Sequence, residues 1–187
     1  IANHMGRLGV PARPENILVT SGSQQALEFL GKLFITAGDT ALVTAPTYLG
    51  ALQAFSAYEP RYDTLRPETG NRTPASYREA ASLNCGSVKF AYVVPDFANP
   101  TGETLSENAR RSLIELAEEL DCPIIEDTAY VDLRFAGETV PAVQALDVAR
   151  HGGDLNASRV IYCGTFSKTI TPGLRIGWVC AAESVAR

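Results

Sequence analysis

Apolar positions along this chain fall into short continuous runs, and most runs are followed by a segment whose apolar residues lie three or four apart. Ile17-Leu18-Val19-Thr20 reads as a strand. Ser21-Gly22-Ser23-Gln24-Gln25 then opens a helix that carries Ala26, Leu27, Leu30, Leu33 and Phe34 on one stripe. Gly38-Asp39 turns the chain into Ala41-Leu42-Val43, which stops at Ala45-Pro46-Thr47-Tyr48; a helical segment through Leu52 and Phe55 and a strand over Arg61 to Leu65 follow. From Arg66 to about Ser76 the chain is polar and interrupted by Pro67, Gly70 and Pro74, so a surface loop is expected. Val88 to Val94 is an apolar run broken only by Lys89, ending at Pro95-Asp96-Phe97-Ala98-Asn99-Pro100-Thr101-Gly102. Ser106 suits the N-cap of a helix whose Ala109, Leu113, Leu116, Ala117 and Leu120 make one apolar stripe. Pro123-Ile124-Ile125 is a short buried strand that ends in Glu126-Asp127-Thr128-Ala129-Tyr130. A mixed region with Pro141 and Gly152-Gly153 leads to a strand over Arg159 to Cys163, a loop from Gly164 to Arg175, and a last strand over Ile176 to Cys180.

Strands alternating with helices imply right-handed crossovers. The expected fold is α/β: a three-layer α/β/α sandwich with a mainly parallel sheet. Ligands of such sheets sit outside the carboxyl ends of the strands. Ser21 to Gln24, Tyr48, Asn99, Asp127 and Lys168 all fall just after predicted strands, so one rim should collect them.

Composition narrows the classes without naming one. At 187 residues, 45% apolar and 20% charged, the chain is an ordinary globular sequence of one domain. A net charge of −5 and a pI near 5.1 argue against a nucleic-acid surface on these residues. No apolar stretch approaches the length of a membrane span, and no signal peptide opens the chain. Cys85, Cys122, Cys163 and Cys180 show no zinc or redox spacing, and three sit in or beside apolar runs, where a thiol behaves as a small hydrophobe. Reduced cysteines favour the cytoplasm. His4 and His151 lie in polar segments and are expected to be exposed and without a role. Ile1 to Met5 reads as the last turn of a helix stopped by Gly6, and Glu183 to Arg187 as a helix just begun, so a piece of a longer protein is expected.

The chemistry concentrates after the strand that ends at Cys163. A lone lysine is usually a solvated surface residue, but Lys168 leaves an apolar strand between Phe166 and Ile170, and partial desolvation would make its amine a usable nucleophile for a carbonyl group. Ser21-Gly22-Ser23-Gln24 at a strand-to-helix junction suits a phosphate or serves as a plain N-cap. Asp127 closes a buried strand; it either caps a neighbouring backbone or meets a cation supplied by a ligand. Asn99 and Tyr130 offer donors, Tyr48 a ring face, and Arg175 a bidentate phosphate partner or an ordinary strand-end charge.

The order Ser-Gly-Ser-Gln-Gln, Pro-Thr-Tyr, Asn-Pro-Thr-Gly, Glu-Asp-Thr-Ala-Tyr and Ser-Lys, with an arginine seven residues after the lysine, resembles the large domain of fold type I aminotransferases of class I/II. It is similar in particular to the branch with α-aminoadipate and kynurenine aminotransferases. The resemblance implies pyridoxal 5'-phosphate as cofactor, joined to Lys168 as a Schiff base, and transfer of an amino group between an L-amino acid and a 2-oxo acid. It implies that Asp127 pairs with the pyridine nitrogen, Asn99 and Tyr130 hold the phenolic oxygen, and Tyr48 stacks on the ring. Ser23, Gln24, Ser167 and Arg175 would bind the phosphate, with Thr165 where the family often has serine. It further implies that residues 1–187 are the cofactor-binding large domain of a homodimer, with the small domain and N-terminal arm encoded outside them, and that this chain alone turns over poorly. Two alternatives remain: the aminotransferase-like sensing domain of a winged-helix transcription regulator, and a lyase using the same cofactor.

Overall fold

The computed structural model describes all residues 1–187. Its strands are β1 (Ile17–Thr20), β2 (Thr40–Thr44), β3 (Arg61–Leu65), β4 (Val88–Val93), β5 (Ile124–Asp127), β6 (Val160–Thr165) and β7 (Gly177–Cys180). Its helices are α1 (Ala2–Arg7), α2 (Ser23–Phe34), α3 (Leu49–Ser56), α4 (Pro74–Ser82), α5 (Glu107–Leu120), α6 (Val143–Arg150) and α7 (Glu183–Ala186). One seven-stranded sheet runs in the order β1-β7-β6-β5-β4-β2-β3; β7 is antiparallel to both neighbours and every other pairing is parallel.

The two-residue period of a strand sorts the core onto two faces. Ala41, Val43, Phe90, Tyr92, Ile125, Ile161 and Cys163 pack with Ala26, Leu27 and Leu30 of α2 and with Ala51 and Phe55 of α3. The alternate residues Leu42, Ala91, Val93, Ile124 and Val160 pack against Tyr77 of α4, the Leu113 to Leu120 stripe of α5 and Val143 and Leu146 of α6. Three layers result, as the sequence predicts. The same alternation sends the consecutive carboxylates of β5 to opposite faces. Glu126 accepts from the Val143 and Gln144 amides at the start of α6, at 2.7 and 2.9 Å. Burial pushes its carboxyl up to about 7, against the pull of those two amides.

Four expectations change. The polar stretch from Arg66 ends earlier than expected, because Thr73 caps α4, its hydroxyl accepting from the Ser76 amide, and Pro74 takes the first helical position. The region around Pro141 holds α6, whose buried face includes Gln144 and Asp147 and so hides its apolar stripe. Helix α1 continues through Gly6 to Arg7. His4 is half-buried rather than exposed, set edge-on to Trp178 with ring centroids 5.6 Å apart, and burial lowers its pKa. His151 is exposed as expected, with its ring 3.6 Å from Asp147.

A buried ion cluster fixes the turn after β4. Arg110 of α5 is fully buried, and its guanidinium donates to the carbonyls of Leu105, Pro141 and Pro95 while lying 3.0 Å from Asp96. Arg134 reaches the other Asp96 oxygen at 2.8 Å and covers the Phe97 ring. The segment carrying Asn99 is thereby tied to the segment that follows Tyr130.

Candidate functional site

The carboxyl ends of β1, β2, β4, β5 and β6 open onto a cavity of about 220 Å³, and all ten residues expected at the site line it: Ser23, Gln24, Tyr48, Asn99, Asp127, Tyr130, Thr165, Ser167, Lys168 and Arg175. Val94 and Ala129 complete the lining.

One end of the cavity is built for an anion. Gly22, at φ 78°, precedes α2, so the Ser23 and Gln24 amides are among the four at a helix start that have no partner within the helix. A side chain at Gly22 would collide with the Arg175 guanidinium, and one at Gly177 would come within 2.5 Å of the Gly22 carbonyl carbon, so two backbones and an arginine meet here only because glycine allows it. Arg175, itself in the left-handed region at φ 51°, donates to the Ser21 carbonyl at 3.0 Å rather than to a carboxylate, leaving its charge free for an anion. The Thr165 hydroxyl lies 3.0 Å from that of Ser167 and accepts from the Ser167 amide at 3.2 Å, which turns the start of the lysine loop toward the same end. The Gln24 side-chain nitrogen donates to the Gly50 carbonyl at 2.7 Å, and the backbone amide of Gln24 remains at the open start of α2, as the sequence reading of free backbone N–H groups has it.

The other end is built around one carboxylate. Asp127 is 3% exposed; its Oδ2 accepts from the Tyr92 hydroxyl at 2.9 Å, whereas Oδ1 is buried without a hydrogen-bond partner. Burial pushes the carboxyl up to about 6, opposed first by the Tyr92 bond and then by the pull of the Ala129 amide. The hydrogen bond to Asp127 Oδ2 thus comes from a side chain rather than from the backbone cap that is one of its two sequence readings, and its other oxygen has no hydrogen-bond partner. Burial and the Asp127 charge also raise the Tyr48 hydroxyl pKa.

Tyr92 was not singled out by sequence. It was counted as one apolar residue in the run from Val88 to Val94, although a tyrosine in a fully buried strand must find an acceptor. That requirement was the available signal.

Lys168 also differs from expectation. It is exposed, with its amine 6.0 Å from the centroid of the Tyr130 ring. The flanking apolar residues do not cover it, since Phe166 turns inward onto Trp178 at 4.9 Å between centroids and Ile170 is itself 65% exposed.

Pyridoxal phosphate fits this donor set. A protonated pyridine nitrogen would satisfy the orphaned Asp127 Oδ1, and a phosphate would satisfy the α2 amides and Arg175. The family model "Aminotransferase class I and II" matches residues 1–187. The chain belongs to that family. Among its relatives, aromatic-amino-acid aminotransferase 1 of Thermococcus litoralis is 42% identical over 184 residues, which cover 97% of this chain and 42% of that protein. An uncharacterized HTH-type transcriptional regulator of Bacillus subtilis is 34% identical over 185 residues, covering 99% of this chain and 36% of the regulator. The kynurenine aminotransferase of Pyrococcus horikoshii, crystallised with PMP, superposes with a TM-score of 0.82 at 40% identity, over 98% of this chain and 44% of that one. The chain thus spans less than half the length of the relatives it matches. No helix is long and apolar enough to cross a membrane.

Proposed function

We propose that residues 1–187 are the cofactor-binding large domain of an aminotransferase that moves an amino group between an L-amino acid and a 2-oxo acid. The observation that carries this reading is that Asp127, whose buried Oδ1 has no hydrogen-bond partner, lines the same cavity as Lys168 and the first residues of α2. When bound, pyridoxal phosphate supplies an aldehyde that condenses with amines and a protonated ring that accepts electrons.

The protein's part is to hold and to move protons. Ser23 and Gln24 bind the phosphate through their amides, Ser167 through its hydroxyl and Arg175 through its guanidinium, with Thr165 orienting Ser167. Asp127 would keep the ring nitrogen protonated, Asn99 and Tyr130 would donate to the phenolic oxygen, and Tyr48 would cover a ring face. Lys168 would hold the aldehyde carbon through its Nζ, and the same amine, when not so engaged, would be the group placed to take up and give back the proton of the substrate Cα. The exposure of Lys168 supports a site that is closed by another part of the full-length protein, and a homodimer of a longer chain is part of the proposal.

Absorbance of the chain with added cofactor, then borohydride reduction and peptide mass mapping, tests this. A visible band and a reduced adduct on Lys168 are expected, and Lys168→Ala should give neither. An adduct spread over other lysines, or no band even in the full-length protein, would overturn the reading.

A second reading rests on the regulator relative, which matches almost all of this chain: the same site would sense an amino compound instead of turning it over. Exchange of 2-oxo acids by the full-length protein decides for the enzyme. Sequence-specific DNA binding without exchange decides for the sensor.

A further inference from the structure

Tyr92 lies outside every role assigned above, yet it is the one side chain bonded to the carboxylate on which the cofactor reading turns. It is fully buried in β4, its ring packed against Phe55 of α3 at 5.6 Å between centroids. Its hydroxyl has a single hydrogen bond to another side chain, the 2.9 Å donation to Oδ2 of Asp127. The terminal torsion of an aspartate is broad, so a hydrogen bond to one oxygen helps to set which way the carboxylate is turned, alongside burial and the Ala129 amide. Donation from the core side engages Oδ2 and leaves Oδ1, buried and without a hydrogen-bond partner, on a residue that lines the cavity.

We infer that Tyr92 is a positioning residue of this site, a buried phenol that aims Oδ1 of Asp127 at a cationic ring nitrogen and favours the charged form of that carboxylate. The inference rests on the cofactor reading for the identity of the cation, and on this chain alone for the pairing. A hydrogen bond donated to a charged acceptor is stronger than one to a neutral acceptor, so the phenol opposes burial, which drives Asp127 toward protonation. The other titratable groups facing Asp127 do not do this. Cys163 of β6, directly opposite it across the strands, and Tyr48 at the start of α3 are both held neutral at physiological pH, with pKa values raised chiefly by burial. Glu126 points to the other face of the sheet, where its carboxylate is taken up by the α6 amides.

The test is a carbon-13 NMR titration of the cofactor-free chain labelled at the aspartate carboxyl carbon, with the Asp127 resonance assigned by its loss in Asp127→Asn. Tyr92→Phe keeps the ring and removes only the donor. It should make Asp127 bind its proton about ten- to a hundredfold more tightly, moving its midpoint up by about one to two pH units. An unchanged midpoint overturns the assignment. Should Tyr92→Phe fail to fold by circular dichroism, 3-fluorotyrosine placed at position 92, a stronger donor, should move the midpoint down, and no movement overturns the assignment equally. With pyridoxal phosphate added, the pH midpoint of the bound-cofactor band should shift in Tyr92→Phe as well. A parent chain with a band but an unmoved Asp127 midpoint overturns this assignment alone; a full-length protein that forms no band overturns the cofactor reading, and with it the proposed target of Oδ1.

Discussion

Asp127 is held where the fold would rather not have a charge. Its carboxyl is shifted by burial from 3.8 to about 6, which at ~1.4 kcal/mol per unit places about 3 kcal/mol of strain in the folded chain once the group ionises. Asn in its place would still accept from Tyr92 through the amide oxygen while carrying no charge. The cofactor-free Asp127→Asn variant should therefore be more stable than the parent at pH 8, by up to about 3 kcal/mol in urea unfolding, and should bind pyridoxal phosphate about ten- to a hundredfold more weakly because the charged partner of the ring is gone. Opposite signs in the two measurements are the mark of a residue kept for function at a cost in stability. A variant less stable than the parent at pH 8 would mean that the carboxylate is structural.

At the level of elements, the turn after β4 and the turn after β5 are fastened through Asp96, Arg110 and Arg134, and the cluster has no access to water on the Arg110 side. Arg110→Ala leaves the Pro95, Leu105 and Pro141 carbonyls without their donor and a buried carboxylate with one partner in place of two. The expected cost is ~3–5 kcal/mol in urea unfolding, as for other broken buried pairs. A loss under about 1 kcal/mol would show that water or Arg134 takes over. None of this cluster is legible in the sequence, where an aspartate after a strand and an arginine within an amphipathic helix carry no sign that they are buried together. What was legible was whatever period and turn chemistry announce. The strand ends at Thr20, Val94 and Asp127, and hence the rim, could be read from short continuous apolar runs that stop at polar, Gly or Pro residues, and the cap at Ser106 from its side-chain chemistry. Helix α4 was lost because proline at a first helical position looks like a loop proline. Helix α6 was lost because Gln144 and Asp147 are buried by bonding to carbonyls and to Ser158 rather than by being apolar. Of the site, Ser23, Gln24, Tyr48, Asn99, Asp127 and Lys168 could be placed by their order after strands, and Tyr130, Thr165, Ser167 and Arg175 followed from the resemblance. The exposure of Lys168 and the side-chain use of Gln24 depend on how neighbouring side chains turn, which no pattern encodes.

For the molecule as a whole, the two carboxyls of β5 set how stability responds to pH. Asp127 moves from 3.8 to about 6 and Glu126 from 4.5 to about 7, both through burial, so over the interval from about pH 4 to about pH 7 the folded chain holds protons that the unfolded chain releases. Stability then falls as pH rises through this window, with about 3 kcal/mol at stake for each group. Two groups work in the opposite sense. Against its own burial, Asp39 is held below the usual carboxylate value by the Ser87 and Thr36 amides and by Lys89, so its contribution is complete above about pH 4. His4, lowered chiefly by burial, offsets part of the loss near pH 6.5. Urea midpoints of the cofactor-free chain should decline from pH 5 to pH 8, and the Glu126→Gln, Asp127→Asn double variant should flatten that decline. Saturating pyridoxal phosphate should reverse the Asp127 share alone, because a cation at Oδ1 stabilises the ionised form and ligand bound only to the folded state adds to its stability. A cofactor-free chain whose midpoint rises from pH 5 to pH 8 would mean that water reaches the β5 carboxyls and that the rim lacks the dry floor on which the proposed chemistry depends.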